Sequence, residues 1–453
     1  SNMSAPMKCH GSRFVKSSLT CFSQIRRYFP KFTYRKLETT QALLQRRIYH
    51  DEISNTISSG EKTWKRYINT SPQRLKRLVL GIETSCDDTG AAIVDDDGKL
   101  HGEGLVSQTK IHVELGGIIP WVARDLHQQN IEEVVNAAFS EAGVTIKDVD
   151  AVAVTVKPGL VISLKVGLNY AKKLVKESGK PLIPIHHMEA HALTARMLER
   201  VDFPFLVLLI SGGHCLLSVV RGVEDFLLLG TALDNAPGDV IDKTARSLKL
   251  KNIPEYSHMS GGQAIEVLAK KGDPASFSFR VPMSHHPNCN FSFAGLKSEM
   301  RRIIEKEEEK YGLDVVSVLP NVADLCASFQ FAIAKHLARR LQRAFLFCDA
   351  RDLLPKENRT LVVSGGVASN MYIRSILEIV CQRFNCSLVC PPPKLCKDNG
   401  VMIAWNGIEK LKEGVGIATD VDAVGVEYRS PLGEDLTEEV EKSNIRTSRI
   451  KLM

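Results

Sequence analysis

The sequence contains one arrangement of short apolar segments twice, and this duplication limits the fold more than any other feature. Each copy has three segments of strand length separated by polar turns. The first copy comprises residues 77–83, 90–94 and 100–108, and the second comprises residues 205–210, 214–220 and 226–230. In both copies the first segment runs into a small polar loop, at 83–89 and 211–213. A repeat of architecture, without a repeat of exact sequence, predicts two similar units in tandem.

Each copy is followed by strand-like segments that end at glycines and lead into helical stretches. Residues 150–156 lead through 157–159 into one helix, and residues 359–363 lead through 364–366 into another that begins near Asn370. Strands that alternate with helices predict the α/β class, with mixed sheets covered on both faces. Two such units in tandem create a cleft, where loops from both can meet a ligand.

Basic residues are concentrated before the first predicted strand. Residues 1–77 contain 16 Lys and Arg against 4 Asp and Glu, whereas residues 78–453 contain 43 against 48, a net charge of −5. An Arg-rich, acid-poor segment with an amphipathic stretch at 39–49 is typical of an organelle transit peptide. We therefore expect a mitochondrial leader over residues 1–76. A basic tail that contacts nucleic acid is the alternative.

Apolar runs and cysteine spacing exclude several protein classes. The longest apolar run, at 203–210, is far too short to cross a bilayer, so we expect no membrane attachment. The 11 cysteines form no CxxC pair. Cys386, Cys390 and Cys396 have spacings that fit neither a zinc ribbon nor a thioredoxin motif, so we expect reduced thiols.

The strongest metal signal is the sequence HMEAH at 187–191, which follows a strand-like segment at 181–185. His187 and His191 are four residues apart, so on a helix they share one face and can reach one ion. Asp398, before Asn399 and Gly400, is a candidate third ligand. Two imidazoles and one carboxylate suit a catalytic divalent metal. A thermolysin-like peptidase needs HExxH, but Met188 occupies the glutamate position, which argues against that chemistry.

Glycine loops form the second group of signals. Ser211, Gly212 and Gly213 join two predicted strands, and residues 364–366 repeat the SGG sequence between a strand and a helix. Such loops let backbone N–H groups approach phosphate oxygens closely. The sequence contains no Walker A motif, which argues against a P-loop nucleotide site.

Acidic residues cluster at two places beside these loops. Glu83 and Asp87 lie in the first loop, and Asp234, Asp239 and Asp242 surround a Pro-Gly pair. Carboxylates in a nucleotide cleft hold hydrated magnesium or ribose hydroxyls. Ordinary turn and cap chemistry is the alternative, which we favour for Asp234.

Seven motifs occur in an order that resembles one protein family. They are GIETSCDDTG at 81–90, GGIIP at 116–120, HMEAH at 187–191, SGGH at 211–214, FSFAGLKS at 291–298, SGGVASN at 364–370 and DNG at 398–400. This pattern, over residues 78–425, is similar to that of the universal tRNA threonylcarbamoyladenosine transferases, formerly called O-sialoglycoprotein endopeptidase-like proteins. The basic leader suggests the mitochondrial branch of that family.

The resemblance implies a two-lobed, actin-like ATPase fold of the acetate kinase, Hsp70 and actin superfamily. We expect an N-terminal lobe over 77–204, completed by residues 400–425, a C-terminal lobe over 205–399 and a tail over 426–453. It also implies transfer of a threonylcarbamoyl group from L-threonylcarbamoyl-adenylate to N6 of the adenosine 3′ of the anticodon. The acceptors would be mitochondrial tRNAs that read codons beginning with A, the released product AMP, and the donor would come from a separate synthase. A homodimer is expected.

The resemblance also implies roles for individual residues. His187, His191 and Asp398 correspond to the family's ligands for one divalent metal per subunit, with zinc or iron expected. The adenylate is expected against Ser211, Gly212, Gly213, Asp242, Gly262 and Asn370. Glu83 or Asp87 is expected to accept a proton from the attacking amine. Lys397 replaces a small hydroxyl residue usual before the aspartate, and no role transfers to Asp239.

The RNA-binding surface has two candidates, because a body of net charge −5 must bind tRNA through a local basic patch. One is the helix that carries Lys335, Arg339, Arg340 and Arg343, and the other contains Lys297, Arg301 and Arg302. For both, an ordinary solvated helix face is the alternative. Two other functions remain open at this point, an ATP-dependent small-molecule kinase and a non-catalytic actin-like scaffold.

Overall fold

The computed structural model of the protein describes residues 76–115, 117–448 and 450–452. The predicted leader over 1–76 therefore lies outside the described residues, except for Lys76. The strands are β1 Leu78–Glu83, β2 Asp88–Asp95, β3 Leu100–Ser107, β4 Ala151–Lys157, β5 Leu182–His186, β6 Phe205–Ile210, β7 Cys215–Val220, β8 Phe226–Thr231, β9 Arg359–Ser364, β10 Cys386–Val389 and β11 Glu434–Asp435.

The helices connect these strands and cover the sheets. They are α1 Thr109–Glu114, α2 Pro120–Ala142, α3 Val161–Ser178, α4 His187–Leu198, α5 Pro237–Ser247, α6 Gly261–Ala269, α7 Ala294–Tyr311, α8 Val322–Arg351, α9 Met371–Arg383, α10 Gly400–Glu413 and α11 Thr437–Lys442. Among the described residues, none of the helices combines the length and the apolar character needed to cross a membrane.

The strands form two sheets with the same topology. The first sheet has the order β3-β2-β1-β4-β5, and the second has β8-β7-β6-β9-β10 with β11 added beside β8. In each, the first three strands of the copy pair antiparallel, the fourth pairs in parallel with the first, and the fifth pairs in parallel with the fourth. The predicted α/β, two-lobed actin-like fold is confirmed by this duplicated mixed sheet.

Apolar side chains hold helices on both faces of the first sheet. Leu80 and Ile82 of β1 pack with α2 and α3 on one face. Val79, from the other face of β1, joins a cluster with α4, α10 and β6. Because successive side chains of a strand alternate in direction, a strand that is apolar throughout requires cover on both sides. Helices α4 and α10 thus lie in a layer between the two sheets.

The second sheet packs on its other face against the long helix α8. Leu206 and Leu208 of β6 join a core with Phe329 and Leu341 of α8. Residues 426–453, predicted as a tail, include β11, which pairs with β8, and α11, whose Val440 is buried in this same core.

Candidate metal centre and nucleotide loops

Three predicted metal ligands from distant parts of the sequence meet at one point. His187 and His191 lie on successive turns of α4, which begins where β5 ends, and Asp398 lies just before α10. The Nε2 atom of His191 is 3.1 Å from Oδ1 of Asp398, and the Nε2 atom of His187 is 3.4 Å from the same oxygen. One ligand atom from each residue lies within 4.8 Å of the others. A single ion can therefore contact all three.

This group of side chains has the chemistry of a divalent metal site. Both imidazoles are buried, and both present Nε2 to the same carboxylate oxygen. The other ring nitrogen of His187, Nδ1, lies 3.2 Å from Oε2 of Glu83. A carboxylate that accepts from one imidazole nitrogen leaves the lone pair of the other nitrogen free for a metal. The three residues fit a catalytic metal with open positions better than a closed structural site.

Glu83 is completely buried, and internal partners occupy both of its carboxylate oxygens. The backbone N–H of Ser85 donates to Oε1 at 2.5 Å, and the hydroxyl of Thr155 donates to Oε2 at 2.5 Å. The same Oε2 faces Nδ1 of His187. Glu83 at the end of β1 and Thr155 in β4 belong to neighbouring parallel strands, so the sheet itself fixes the carboxylate.

Two further carboxylates follow β1, Asp87 in the loop and Asp88 at the start of β2, and both are partly exposed. Burial and the nearby charge of Asp398 raise the pKa of Asp87 above its ordinary value. Burial, with the charges of Asp87, Asp398 and Glu83, raises the pKa of Asp88 to about 7. These negative groups repel one another, so a cation at the His187–His191–Asp398 cluster would be stabilised electrostatically.

Buried polar contacts join the two helices that carry the metal ligands. The indole Nε1 of Trp405 on α10 donates to the carbonyl of Leu193 on α4 at 3.1 Å. Lys410 Nζ lies 3.1 Å from Oε2 of Glu189, and Glu189 is the α4 residue that lies between the two histidines in sequence. Arg196 Nε pairs with Glu409 at 2.9 Å. These contacts hold the histidines of α4 opposite Asp398 at the start of α10.

The first glycine loop lies at the corresponding place in the second sheet. Ser211, Gly212 and Gly213 connect β6 to β7, and Ser211 Oγ accepts from the N–H groups of Gly213 and His214. The N–H of Gly238 donates to the Ser211 carbonyl at 3.1 Å. A Cβ at position 238 would lie 2.8 Å from the backbone of Ser211 and Gly212, so only glycine allows α5 to begin this close.

The remaining predicted adenylate residues surround helices α6 and α9. A Cβ added at Gly261 would lie 2.5 Å from Asp242 Oδ1, which places Asp242 against the start of α6 beside Gly262. Asn370 caps α9 by accepting from the N–H of Ile373 at 2.9 Å and donates to Gln330 at 2.7 Å. A cavity of about 370 Å³ lies next to it, lined in part by Glu266, Gln330, Met371 and Tyr372.

Two other predicted acidic residues make structural contacts. Asp234 accepts from the hydroxyl of Ser292 at 2.5 Å and from the N–H of Phe293 at 2.9 Å, so it caps the start of α7. Asp239 pairs with Lys243 one turn later on α5 at 2.8 Å. These contacts match the turn and cap chemistry favoured from the sequence for Asp234.

The prediction that helix α8 presents four exposed cations to RNA is wrong, because two of the four are buried. Arg340 and Arg343 of α8 are only 2% and 8% exposed. Arg340 donates to the carbonyls of His286, Asn288 and Met283, and Arg343 donates to Asn288. A helix covered along most of its length buries basic residues when their hydrogen-bonding capacity is satisfied inside. The other candidate, with Lys297, Arg301 and Arg302 on α7, lies along an open groove.

Sequence reasoning missed three side chains that bear on the site. Asp88 lies inside the GIETSCDDTG motif and His214 ends the SGGH motif, so membership of a motif was the available signal for both. Burial, with the charges of His187 and His191, lowers the pKa of His214 to about 4, against the opposing charge of Asp398. Lys410 lies in a helix with no motif, and nothing in the sequence marked it.

Comparison with known proteins assigns the family. The family model described as tRNA N6-adenosine threonylcarbamoyltransferase matches residues 99–405. The human protein named "tRNA N6-adenosine threonylcarbamoyltransferase, mitochondrial" is 53% identical over 83% of this chain and 91% of its own length. The Xenopus tropicalis protein of the same name is 54% identical over 83% and 93%.

A bacterial protein extends the likeness beyond mitochondrial relatives. The tRNA N6-adenosine threonylcarbamoyltransferase of Rhodospirillum rubrum is 42% identical over 74% of this chain and 90% of its own length. The resemblance inferred from seven motifs is confirmed by these matches, which extend over both sheets and the metal cluster. The chain therefore belongs to the tRNA N6-adenosine threonylcarbamoyltransferase family.

Proposed function

We propose that this protein transfers the threonylcarbamoyl group from L-threonylcarbamoyl-adenylate to N6 of the adenosine 3′ of the anticodon and releases AMP. The substrates are mitochondrial tRNAs that read codons beginning with A. Family membership and the mitochondrial names of the relatives support this activity and a location in the mitochondrial matrix. The observation that carries the proposal is the meeting of His187, His191 and Asp398 at one point.

The metal ligands in this proposal are His187, His191 and Asp398, with one ion per subunit. Imidazole and carboxylate donors suit zinc or iron better than magnesium, which prefers oxygen ligands alone. When bound, the ion supplies a Lewis acid that polarises an oxygen of the threonylcarbamoyl group. The chain's own task is to hold these donors in place, and the contacts between α4 and α10 do so.

Glu83 acts as a positioning residue in this proposal. Both of its oxygens accept hydrogen bonds from inside the protein, so neither is free for a proton from substrate. By accepting from Nδ1 of His187, Glu83 fixes the tautomer that carries its proton on Nδ1 and leaves the lone pair of Nε2 for the metal.

Asp87 is the better candidate to accept the proton of the attacking amine. It lies in the loop four residues after Glu83, is partly exposed, and has a pKa raised above its ordinary value by burial first and by Asp398 second. A general base works best when its pKa approaches the working pH. Because AMP is already a good leaving group, orientation and charge stabilisation contribute more than strong basicity.

The adenylate is placed across the loops of the second sheet. The loop of Ser211, Gly212 and Gly213 would hold the phosphate, chiefly through the N–H of Gly212, because a Cβ at Gly212 or Gly213 would meet no described atom within 4 Å and the phosphate has room to approach. Asp242 and Gly262 would contact the nucleoside, and Asn370 donates to Gln330, which lines the cavity of about 370 Å³. In this proposal the donor lies in a cleft between the two predicted lobes, 77–204 with 400–425 and 205–399.

Partners complete the proposal. The donor is supplied by a separate synthase, as membership of the family implies. The protein functions as a homodimer without membrane attachment.

Reconstitution tests the proposed activity directly. The full chain is combined with a threonylcarbamoyl-adenylate synthase, bicarbonate, threonine, ATP and a mitochondrial tRNA transcript. Nucleoside mass spectrometry then measures threonylcarbamoyladenosine. The proposal predicts this nucleoside at the position 3′ of the anticodon in tRNAs that read codons beginning with A. Its absence with a synthase shown to be active, or modification of other tRNAs to the same extent, would contradict the proposal.

A further inference from the structure

A basic groove runs between helices α5 and α7, outside the metal centre. Its volume is about 480 Å³, and it is open to solvent. Four cationic side chains line it, Lys243 from α5 and Lys297, Arg301 and Arg302 from α7. Ser247 and Ser298 also line it. Cations with interspersed hydroxyl donors are the groups that proteins use to contact phosphates.

Two of these cations lack a neutralising carboxylate. Arg301 pairs with Glu305 on its own helix at 2.8 Å, and Lys243 pairs with Asp239 at 2.8 Å. Within residues 76–115, 117–448 and 450–452, neither Lys297 nor Arg302 has an acidic partner within ion-pair distance. The groove therefore keeps a positive charge on a protein body whose net charge is −5. Such a local field attracts a polyanion that the rest of the surface repels.

Both walls of the groove begin beside the nucleotide loop of the second sheet. Helix α5 starts against Ser211 and Gly212, through the hydrogen bond from Gly238. Helix α7 starts at the cap formed by Asp234, three residues before Pro237 at the beginning of α5. A strand bound in the groove would thus leave it near the loop assigned to the donor phosphate.

We propose that this groove binds backbone phosphates of the tRNA next to the modified adenosine. The proposal rests on the proposed function, because it takes tRNA as the acceptor. Arg302 suits bidentate contact with a phosphate, and Lys297 acts as a point charge. The contacts carry no base information, so they position any acceptor tRNA without selecting its anticodon.

A double variant, Lys297→Gln with Arg302→Gln, tests the groove in the full chain. The matched control, Arg221→Gln with Lys442→Gln, removes the same charge from exposed cations on other helices and turns. Binding of a mitochondrial tRNA transcript is measured by fluorescence anisotropy over a range of salt concentrations. Thermal midpoint and metal content verify that each variant is folded.

The groove proposal predicts a change in the salt dependence of binding. Loss of two phosphate contacts reduces the slope of log K against log salt by about 1.4 to 1.8 and weakens binding about 10-fold or more near 0.1 M salt. The control variant keeps the wild-type slope. Equal slopes and affinities for all three proteins would overturn the proposal, as would absence of tRNA binding by the wild type. If the double variant bound polyglutamate more weakly than the wild type but bound tRNA as tightly, the proposal would also be overturned, in favour of an acidic protein partner.

Binding and transfer fail independently in this design. A wild type that modifies tRNA, with a groove variant that binds as tightly, would remove the groove but keep the function. A wild type that binds tRNA through the groove without forming threonylcarbamoyladenosine would keep the groove as an RNA site and contradict the proposed function.

Discussion

The loops after the first strands of the two sheets occupy equivalent places in one repeated topology, yet they present different chemistry. At the end of β1, Glu83 and Ser85 are buried, and the Glu83 carboxylate is fixed by hydrogen bonds from the backbone N–H of Ser85 and from the hydroxyl of Thr155 in β4. After β6, Gly212 and Gly213 are exposed, and open space surrounds their backbone. The first loop fixes side chains that hold a cation in place, and the second leaves room for a phosphate.

The two loops show how a duplicated fold can support metal binding in one sheet and phosphate binding in the other. A metal site needs donors fixed within a fraction of an ångström, so its supporting residues are buried and paired. A phosphate site needs close approach of the backbone, so side chains are removed from it. The metal side should therefore be sensitive to loss of partners, and the phosphate side to added atoms.

The largest effect is expected from loss of a metal ligand. Replacement of His191 by alanine removes one of three donors, and we expect transfer to fall by more than about 100-fold, beyond the range typical of supporting residues. Metal content should fall with it, while the thermal midpoint changes little. His101→Ala is the matched control, since His101 also pairs with a carboxylate, Asp95, but outside the site. Similar losses in both variants would contradict the assignment of His191.

The next effect is expected from the residue behind a ligand. Glu83→Gln keeps the shape but cannot hold the Nδ1 proton of His187 as strongly, so metal affinity and transfer should fall about 10-fold to 100-fold. Thr155→Val removes one donor to the same carboxylate and should have a smaller effect of the same kind. Competition with a chelator measures both affinities. A fall in transfer at full metal occupancy would instead make Glu83 the proton acceptor.

A smaller effect, on stability, is expected in the second sheet from an added methyl group. Gly365 has φ of 99° and a Cβ there would lie 2.4 Å from the carbonyl oxygen of Ile210. Gly365→Ala should therefore destabilise the protein by about 2–3 kcal/mol. At Gly366 a Cβ would meet no described atom within 4 Å, so Gly366→Ala serves as the control. Denaturant unfolding checks the pair, and equal midpoints would contradict this account of the second SGG loop.

The smallest effect is expected on the pH dependence of stability, from the buried histidine His336 of α8. His336 is fully buried against Phe291 and Phe293, and its Nε2 accepts from the N–H of Ser292 at 3.2 Å. Burial, with the charges of Arg340 and Arg339, lowers its pKa from 6.5 to about 3. The unfolded chain binds a proton below pH 6.5 and the folded chain does not, so this group costs stability as pH falls.

The size of this pH effect can be measured by a single substitution. Between pH 7.5 and pH 5, His336 should remove about 2 kcal/mol of unfolding free energy. His336→Gln keeps an acceptor for Ser292 and abolishes the titration, so its loss of stability over this range should be smaller by that amount. Identical pH profiles for both proteins would mean that other groups dominate the acid response.

Much of the fold could be predicted because each strand ends at a recognisable loop. The apolar segments of both meanders and the glycines after them are local signals, and their duplication gave the two-sheet architecture. Asp398 was a candidate ligand because it lies in a glycine-marked segment, and the family resemblance supported its pairing with HMEAH, since no local pattern relates an aspartate after β10 to a helix after β5. The structure brings the three side chains together through α10, which packs on the first sheet far from its place in the sequence.

Burial by distant segments was beyond the sequence signal. The basic run that ends at Arg343 has the spacing of a solvent-facing helix, but residues 282–288 and Ile445 cover it and accept its hydrogen bonds. The division of labour between Glu83 and Asp87 likewise depends on Thr155 and on His187, which reach Glu83 from other strands and helices. Helical period tells which residues share a face, and only tertiary packing tells what that face meets.

Metal occupancy measured together with transfer tests the central claim most directly. The full chain is stripped of metal with a chelator, one divalent ion is returned in steps, and threonylcarbamoyladenosine is quantified at each step. We expect product formation to rise in proportion to bound metal and to reach its maximum at one ion per chain. Undiminished product formation by the metal-free protein would contradict it.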